Sequence, residues 1–376
     1  MTGNELDLLV IGEGLSGITA AASAAARGLH VMLVSKGPGS FVLGPACIDI
    51  DGVGPRGAGL AVYDGKQLDE GIAFFLELTK AAGCGYSGDL WERRLVPTIM
   101  GTFQEVSLAP NSLWKGDPRG LASVQIAGIG DLSSFDACFL AERFSSQARQ
   151  LGLSTSYRGV VVQLPESRRH AVTTVEVASR LDREPSYRRA LIASLRAVIG
   201  RADLLILPGI LGLKSSDDDI RQFEKDIGCA VCELATLPPV VPALRLLRRL
   251  ERRLTALGVD LCTGFAVKEL CLEQDRCTAV LLDTPGRPRV ICPGSVVLAC
   301  GRFAHLLEGH ASGGQPEVNQ ALQPLNRQGA VIASNVFTCG SAIGKMEPRY
   351  GNAMAIMTGY QAAIQASERG VQYAGR

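Results

Sequence analysis

Three stretches near the start of the chain set the local structure. Residues 7–12 are an almost unbroken apolar run that stops at Gly12, and they read as a short strand buried on both faces. Residues 15–28 are rich in Ala and Gly and free of proline, and they read as a helix with a small-residue surface. Residues 30–35, His-Val-Met-Leu-Val-Ser, read as a second buried strand. Strand, tight turn, helix and strand in this order predict parallel pairing, because parallel sheets are covered on both faces.

Further along, residues 66–83 and 242–257 carry helical periodicity, and residues 352–368 predict a last helix. Residues 203–210, 259–265, 277–282 and 295–300 predict strands. The stretch 37–65 carries Gly at 37, 39, 44, 52, 54, 57 and 59 and predicts irregular backbone close to a ligand. Between 85 and 235 the pattern is mixed, and the polar segment 165–190 with its arginines predicts an exposed loop. The resulting fold class is α/β: a two-dinucleotide-binding, Rossmann-like fold with an inserted α+β domain. Residues 1–80 and 236–376 form a discontinuous nucleotide domain in this reading, and 81–235 the insertion. The last Gly-rich strand has to return beside the first to complete the site.

Composition narrows the class. Hydrophobic residues make up 47% of the 376 and charged residues 20%, which excludes a disordered chain. The 43 glycines fit close backbone approaches. A net charge of +1 asks for no nucleic acid. No apolar run reaches the roughly 18 residues of a membrane span. Glu5 and Asp7 near the start argue against a signal peptide, so a cytoplasmic protein is expected, peripheral at an inner membrane only through a partner or a surface helix. The eleven cysteines are then expected as free thiols.

The chemistry concentrates at Gly12-Glu13-Gly14-Leu15-Ser16-Gly17. The first glycine allows the tight turn, the second lets a pyrophosphate approach the backbone, and the third lets helix pack on strand. The helix start then offers free N–H groups to phosphate. The second strand normally ends in an acid that accepts from ribose hydroxyls. Here that place holds Ser35, followed by Lys36, so the adenosine is held more weakly or differently, with Lys36 available to a phosphate. Late in the chain, the strand leading to Gly301, the segment Gly340-Ser341 and the helix opening Gly351-Asn352-Ala353 complete a layout shared with two-dinucleotide-fold flavoproteins. The last helix start would set N–H donors at the flavin pyrimidine, where negative charge develops on reduction.

With these segments in view, the chain resembles the B subunits of the anaerobic glycerol-3-phosphate dehydrogenases. The resemblance runs through the fingerprint, the strand ending at Ser35, Gly44-Pro-Ala-Cys-Ile-Asp-Ile50 and Leu95-Val-Pro-Thr-Ile-Met-Gly-Thr102. It continues through Leu207-Pro-Gly-Ile-Leu-Gly-Leu213, Leu237-Pro-Pro-Val-Val-Pro-Ala-Leu-Arg-Leu246, Ala299-Cys-Gly-Arg-Phe303 and Cys339-Gly-Ser-Ala-Ile-Gly344. It implies a flavin-binding subunit that works with a flavoprotein catalytic subunit and an iron–sulfur membrane subunit. The implied reaction oxidises glycerol 3-phosphate to dihydroxyacetone phosphate and passes electrons toward quinone. The resemblance implies FMN, whereas the fingerprint suits FAD. Two segments depart from the family: Gly44-Pro45-Ala46-Cys47 replaces a Ser/Gly-rich stretch, and Arg302-Phe303-Ala304-His305 replaces a Phe-Gly-Gly type stretch. Other readings are a non-catalytic electron-transfer or scaffold subunit and a stand-alone fumarate-reductase-like oxidoreductase.

Gly44, Cys47 and Asp49 lie on the segment that in this fold class passes the flavin N5 edge. Asp49 could accept a hydroxyl proton there, or it could simply cap the loop. His305 follows a turn expected to approach the flavin and is a second acid–base candidate. Cys229-Ala-Val-Cys232 lies in an apolar stretch without a second ligand pair, and reads as core; no metal site is expected. Arg245, Arg248, Arg249, Arg252 and Arg253 recur at helical spacing as one basic stripe, expected as a solvated face or, alternatively, a surface for an acidic partner or anionic lipid.

Overall fold

The computed structural model describes residues 6–50, 65–163, 171–302, 306–307, 315–344 and 351–374. The chain divides into two compact units. The first comprises Met1–Ser40, Ile50–Leu78 and Leu250–Arg376, and the second Phe41–Asp49 and Thr79–Arg249.

The first unit is built on five parallel strands. Strand β1 (Leu8–Glu13) lies between β2 (Val31–Pro38) and the strand Ser295–Leu298. Asp260–Thr263 adds outside β2, and Val336–Thr338 adds outside Ser295–Leu298. In chain order this is 3-2-1-4-5, so the direction of strand succession reverses between β1 and Ser295–Leu298. The crevice at the carboxyl ends of those two strands is where an open parallel sheet places its ligand. Leu8, Leu9 and Val10 are fully buried, as a strand covered on both faces requires.

Helix α1 (Leu15–Ala25) follows the turn. Its Ala20, Ala21, Ala22 and Ala24 have no exposed surface. Small residues let neighbouring backbones come close. A side chain at Gly359 of the last helix, Gly351–Ala374, would stand 2.2 Å from the Ser16 carbonyl oxygen. Helix α2 (Gly65–Ala81) also reaches the last helix, where a Cβ on Gly71 would lie 3.0 Å from Met357. The antiparallel strands Ala266–Glu273, Arg276–Asp283 and Arg289–Ile291 cover part of the sheet. Their Leu270, Val280 and Leu282 share one core with Leu9, Ile11 and Val34. Each such buried aliphatic side chain contributes about 1.5–3 kcal/mol.

The second unit has its own parallel sheet, in the order Ala230–Leu234, Leu204–Pro208, Ser123–Ile129, Ser156–Val162. Several of its helices start at side-chain caps. Asp136 accepts from the N–H groups of Cys138 and Phe139, and Ser216 and Asp219 form a reciprocal capping box. Cys229 and Cys232 flank and line the buried strand Ala230–Leu234; burial pushes both thiols up, which keeps them in the inert protonated form.

Two expectations need correction here. The segment expected as an exposed loop over 165–190 contains the helix Thr174–Arg183 and the start of Pro185–Ile199. Val177, Leu181, Leu191 and Leu195 are buried at i, i+4 spacing, a stripe masked in the sequence by the interleaved arginines. The expected basic face is not continuous either. On the helix Val241–Ala256, Arg248 and Arg252 are exposed, but Arg245 is buried against Glu233. Arg249 donates from Nε to the Ala82 carbonyl at 2.6 Å. Guanidinium stems cover apolar surface while their heads find carbonyl and carboxylate acceptors, so helical spacing alone does not place an arginine in water. No described helix is long and apolar enough to cross a membrane.

Candidate functional site

At the end of β1 the backbone turns through Gly12 at φ +114°, a conformation that only glycine adopts without strain. A Cβ there would stand 2.3 Å from the Ala299 carbonyl oxygen, so the turn after β1 lies directly against the turn after Ser295–Leu298. At Gly17 a Cβ would meet the Gly12 oxygen at 1.9 Å, which is the close helix-on-turn packing of the third fingerprint glycine. Gly14 is different: a Cβ there meets nothing within 4 Å. The middle glycine therefore faces open space, as an approaching phosphate requires.

Gly14 is also the N-cap of α1 and supplies no side-chain cap. The first intrahelical bond is Ile18 N–H to Gly14 O at 2.9 Å, leaving the N–H groups of Leu15, Ser16 and Gly17 without intrahelical acceptors. With the positive end of the helix dipole behind them, these donors suit a pyrophosphate. The donor set and the open cradle fit an FAD-type dinucleotide.

Other turns gather at the same edge. Gly340, at φ +62°, packs so closely on Ser16 that a Cβ would stand 2.4 Å from Ser16 Oγ. Its N–H donates to Thr358 Oγ1 at 2.8 Å, and this ties the turn to the last helix. A Cβ on Gly301 would have Ser341 Oγ as its neighbour at 3.8 Å. Gly351, Asn352 and Ala353 open the last helix, and Ala355 one turn on touches the Gly340 position. Thus Gly12, Gly14, Leu15, Ser16, Gly17, Gly301, Gly340 and Ser341 come together at the carboxyl ends of β1 and its neighbours. Lys36 is exposed on β2.

Ser35 is buried, and its hydroxyl is already committed: Oγ donates to Glu13 Oε2 at 2.9 Å. Glu13 is the variable residue of the fingerprint, a place from which sequence reasoning expects no particular chemistry. Its carboxyl is raised to about 7, first by burial and then by the Glu251 carboxyl on the helix Val241–Ala256, with the Ser35 hydrogen bond pulling the other way. The signal that could have found it is an acid in the fingerprint beside a strand end that lacks one.

Gly44, Cys47 and Asp49 belong to the second unit. Asp49 Oδ1 accepts from Arg93 Nη2 at 2.6 Å. The preceding Ala46 is held at φ +55°, and its carbonyl accepts from the Tyr86 hydroxyl at 2.9 Å. Burial pushes the Cys47 thiol up to about 12, so it is neutral at physiological pH. His305 lies outside the described residues. Among the described residues no cluster of His, Cys, Asp or Glu is placed to hold a metal ion.

Residues 7–59 match the FAD binding domain family. Over 97% of its length the chain is 26% identical to the probable B subunit of the anaerobic glycerol-3-phosphate dehydrogenase of Halobacterium salinarum, covering 98% of that protein. It is 23% identical to the corresponding anaerobic glycerol-3-phosphate dehydrogenase protein of Glaesserella parasuis, covering 79% of this chain and 75% of the other. Among solved structures, the 3-ketosteroid-delta4-(5alpha)-dehydrogenase of Rhodococcus jostii aligns over 96% of this chain and 97% of its own, at 11% identity and a TM-score of 0.41. By sequence the chain resembles the B subunits of anaerobic glycerol-3-phosphate dehydrogenases and carries an FAD-type flavin-binding region.

Proposed function

We propose that this chain is the flavin-binding subunit of an anaerobic glycerol-3-phosphate dehydrogenase complex. In this reading the complex oxidises glycerol 3-phosphate to dihydroxyacetone phosphate and passes the electrons toward quinone. The observation that carries the proposal is the open Gly14 cradle at the α1 N-terminus, in a chain that a relative of that name matches over 97% of its length. FAD is the flavin proposed, because the cradle has the form of a pyrophosphate site and FMN carries a single phosphate. Its partners would be a flavoprotein catalytic subunit and an iron–sulfur subunit at the membrane.

Bound FAD would supply two-electron redox chemistry. The chain's own residues would hold the phosphates at the N–H groups of Leu15, Ser16 and Gly17. The first turn of the last helix, Gly351 to Ala353, would offer N–H groups where negative charge collects. One observation favours a second reading, an electron-transferring or scaffolding flavoprotein subunit. Asp49, the proton acceptor that a catalytic subunit would use, is ion-paired with Arg93.

The test is to release the flavin by heat, identify it by chromatography, and add glycerol 3-phosphate to the purified chain without oxygen. Bleaching of the flavin by the chain alone supports the catalytic subunit. Bleaching only with the partner subunits present supports the relay. A protein that takes up neither FAD nor FMN sinks both.

A further inference from the structure

The missing acid of β2 has a counterpart one strand away. Glu13 follows the first fingerprint glycine at the carboxyl end of β1 and accepts the Ser35 hydroxyl at 2.9 Å. The strands are neighbours, so this bond sets the Glu13 carboxyl beside Ser35 of β2, the position from which the expected acid is missing. The carboxyl is only half satisfied. Glu13 is 4% exposed, and its Oε1 is buried with no hydrogen-bond donor. Among the described residues no cation pairs with it. The charge that acts on it is a second carboxyl, Glu251 on the helix Val241–Ala256, which raises its proton affinity. A buried carboxylate oxygen facing another acid is costly for the fold, and folded proteins rarely keep such a group without a use.

We propose that Glu13 replaces the absent β2 acid and holds the adenosine ribose hydroxyls of the bound dinucleotide, with Ser35 as the positioning residue. This rests on the FAD reading above. A ribose offers two adjacent hydroxyl donors, the complement of a carboxylate whose free oxygen lacks one. Taking the ribose gives Oε1 the hydroxyl donors that it lacks. A proton held by the Glu13 carboxyl passes to solvent as the hydroxyls donate to it. Burial and Glu251 raise the affinity of Glu13 for that proton, whereas the Ser35 hydrogen bond favours the ionised form that accepts the hydroxyls.

The experiment measures binding of ADP and of 2′-deoxy-ADP to the flavin-free chain by calorimetry, for the wild type and for Glu13→Gln. The wild type is expected to prefer ADP by about 10-fold or more, the range for a hydrogen bond to a charged group. Glu13→Gln should erase most of that preference. Equal preference in wild type and variant, or no preference in the wild type, overturns the proposal. Should Glu13→Gln not fold, Ser35→Ala serves instead, with a reduced preference expected and an unchanged one counting against. FAD and FMN are titrated alongside. A wild type that binds FMN but neither FAD nor ADP removes the FAD reading and this proposal together. Binding of FAD without ribose discrimination removes only this proposal.

Discussion

Arg245 and Glu233 form a fully buried, two-point ion pair. Nη1 and Nη2 donate to the two carboxylate oxygens at 2.6 and 2.9 Å, with the side chains 3% and 0% exposed. Both groups are satisfied beyond the pair. Arg245 Nε donates to the Gly212 carbonyl at 2.7 Å, and Glu233 Oε1 also accepts from Leu211 N–H at 2.9 Å. The pair therefore joins the helix Val241–Ala256 to the turn that follows Leu204–Pro208. Truncating one partner leaves a buried charge, so Glu233→Ala or Arg245→Ala should lose about 3–5 kcal/mol in urea unfolding. Arg248→Gln and Arg252→Gln, on the exposed side of the same helix, should each stay within about 0.5 kcal/mol. Comparable losses in both sets would mean that the arginines act as one face after all.

The fingerprint glycines should separate by consequence. Gly14→Val adds a side chain into open space at an ordinary N-cap conformation, φ −80° and ψ 176°. It should fold normally and fail to retain flavin. Gly17→Ala pushes a methyl group onto the Gly12 carbonyl and should cost about 3 kcal/mol or more in stability, whatever the flavin does. Thermal melting and the flavin-to-protein ratio of both variants check the pair of outcomes. Normal flavin content in Gly14→Val would reduce the fingerprint to a turn.

Glu13 makes stability depend on pH with a definite sign. Its folded-state value of about 7 lies above the ordinary 4.5, so the native chain binds this proton more tightly than the unfolded one. Its stabilising effect is complete below about pH 4.5 and is lost as pH rises through 7, amounting to at most about 3 kcal/mol. Glu13→Gln removes this dependence. The difference in unfolding free energy between wild type and variant should move in the variant's favour from pH 5 to pH 8. A difference that stays flat over that interval would show that the carboxyl titrates normally.

Thr358 closes the Gly340 turn from the last helix. Its hydroxyl accepts from the Gly340 N–H at 2.8 Å and donates to the Met354 carbonyl at 2.6 Å, with the side chain fully buried. Thr358→Val keeps the shape and leaves the buried Gly340 N–H unpaired. A loss of about 1–3 kcal/mol in chemical denaturation is expected, against little change for Thr358→Ser, which keeps the hydroxyl.

The sequence by itself determined the local elements and the core of the first sheet. The apolar run expected over 7–12 is β1, Leu8–Glu13, and the strands expected around 31, 260, 277 and 296 all form. The helices expected over 66–83, 242–257 and 352–368 form within a few residues of those bounds, apart from the longer last one. Short buried strands and small-residue helices are local patterns, and a hydrophobic period needs no distant partner to be read. Tertiary structure decided what depends on residues far apart in the chain. The arginines of one helix were split into buried and exposed because Glu233 and the Ala82 carbonyl, remote in sequence, supply the acceptors. The helix Thr174–Arg183 was hidden by its charges, since its stability comes from the side it buries more than from propensity. Ser35 looked free to meet a ligand until folding set it 2.9 Å from Glu13, 22 residues earlier. Electrostatic and hydrogen-bonding partners are fixed by the strand order, and the strand order is a property of the assembled sheet.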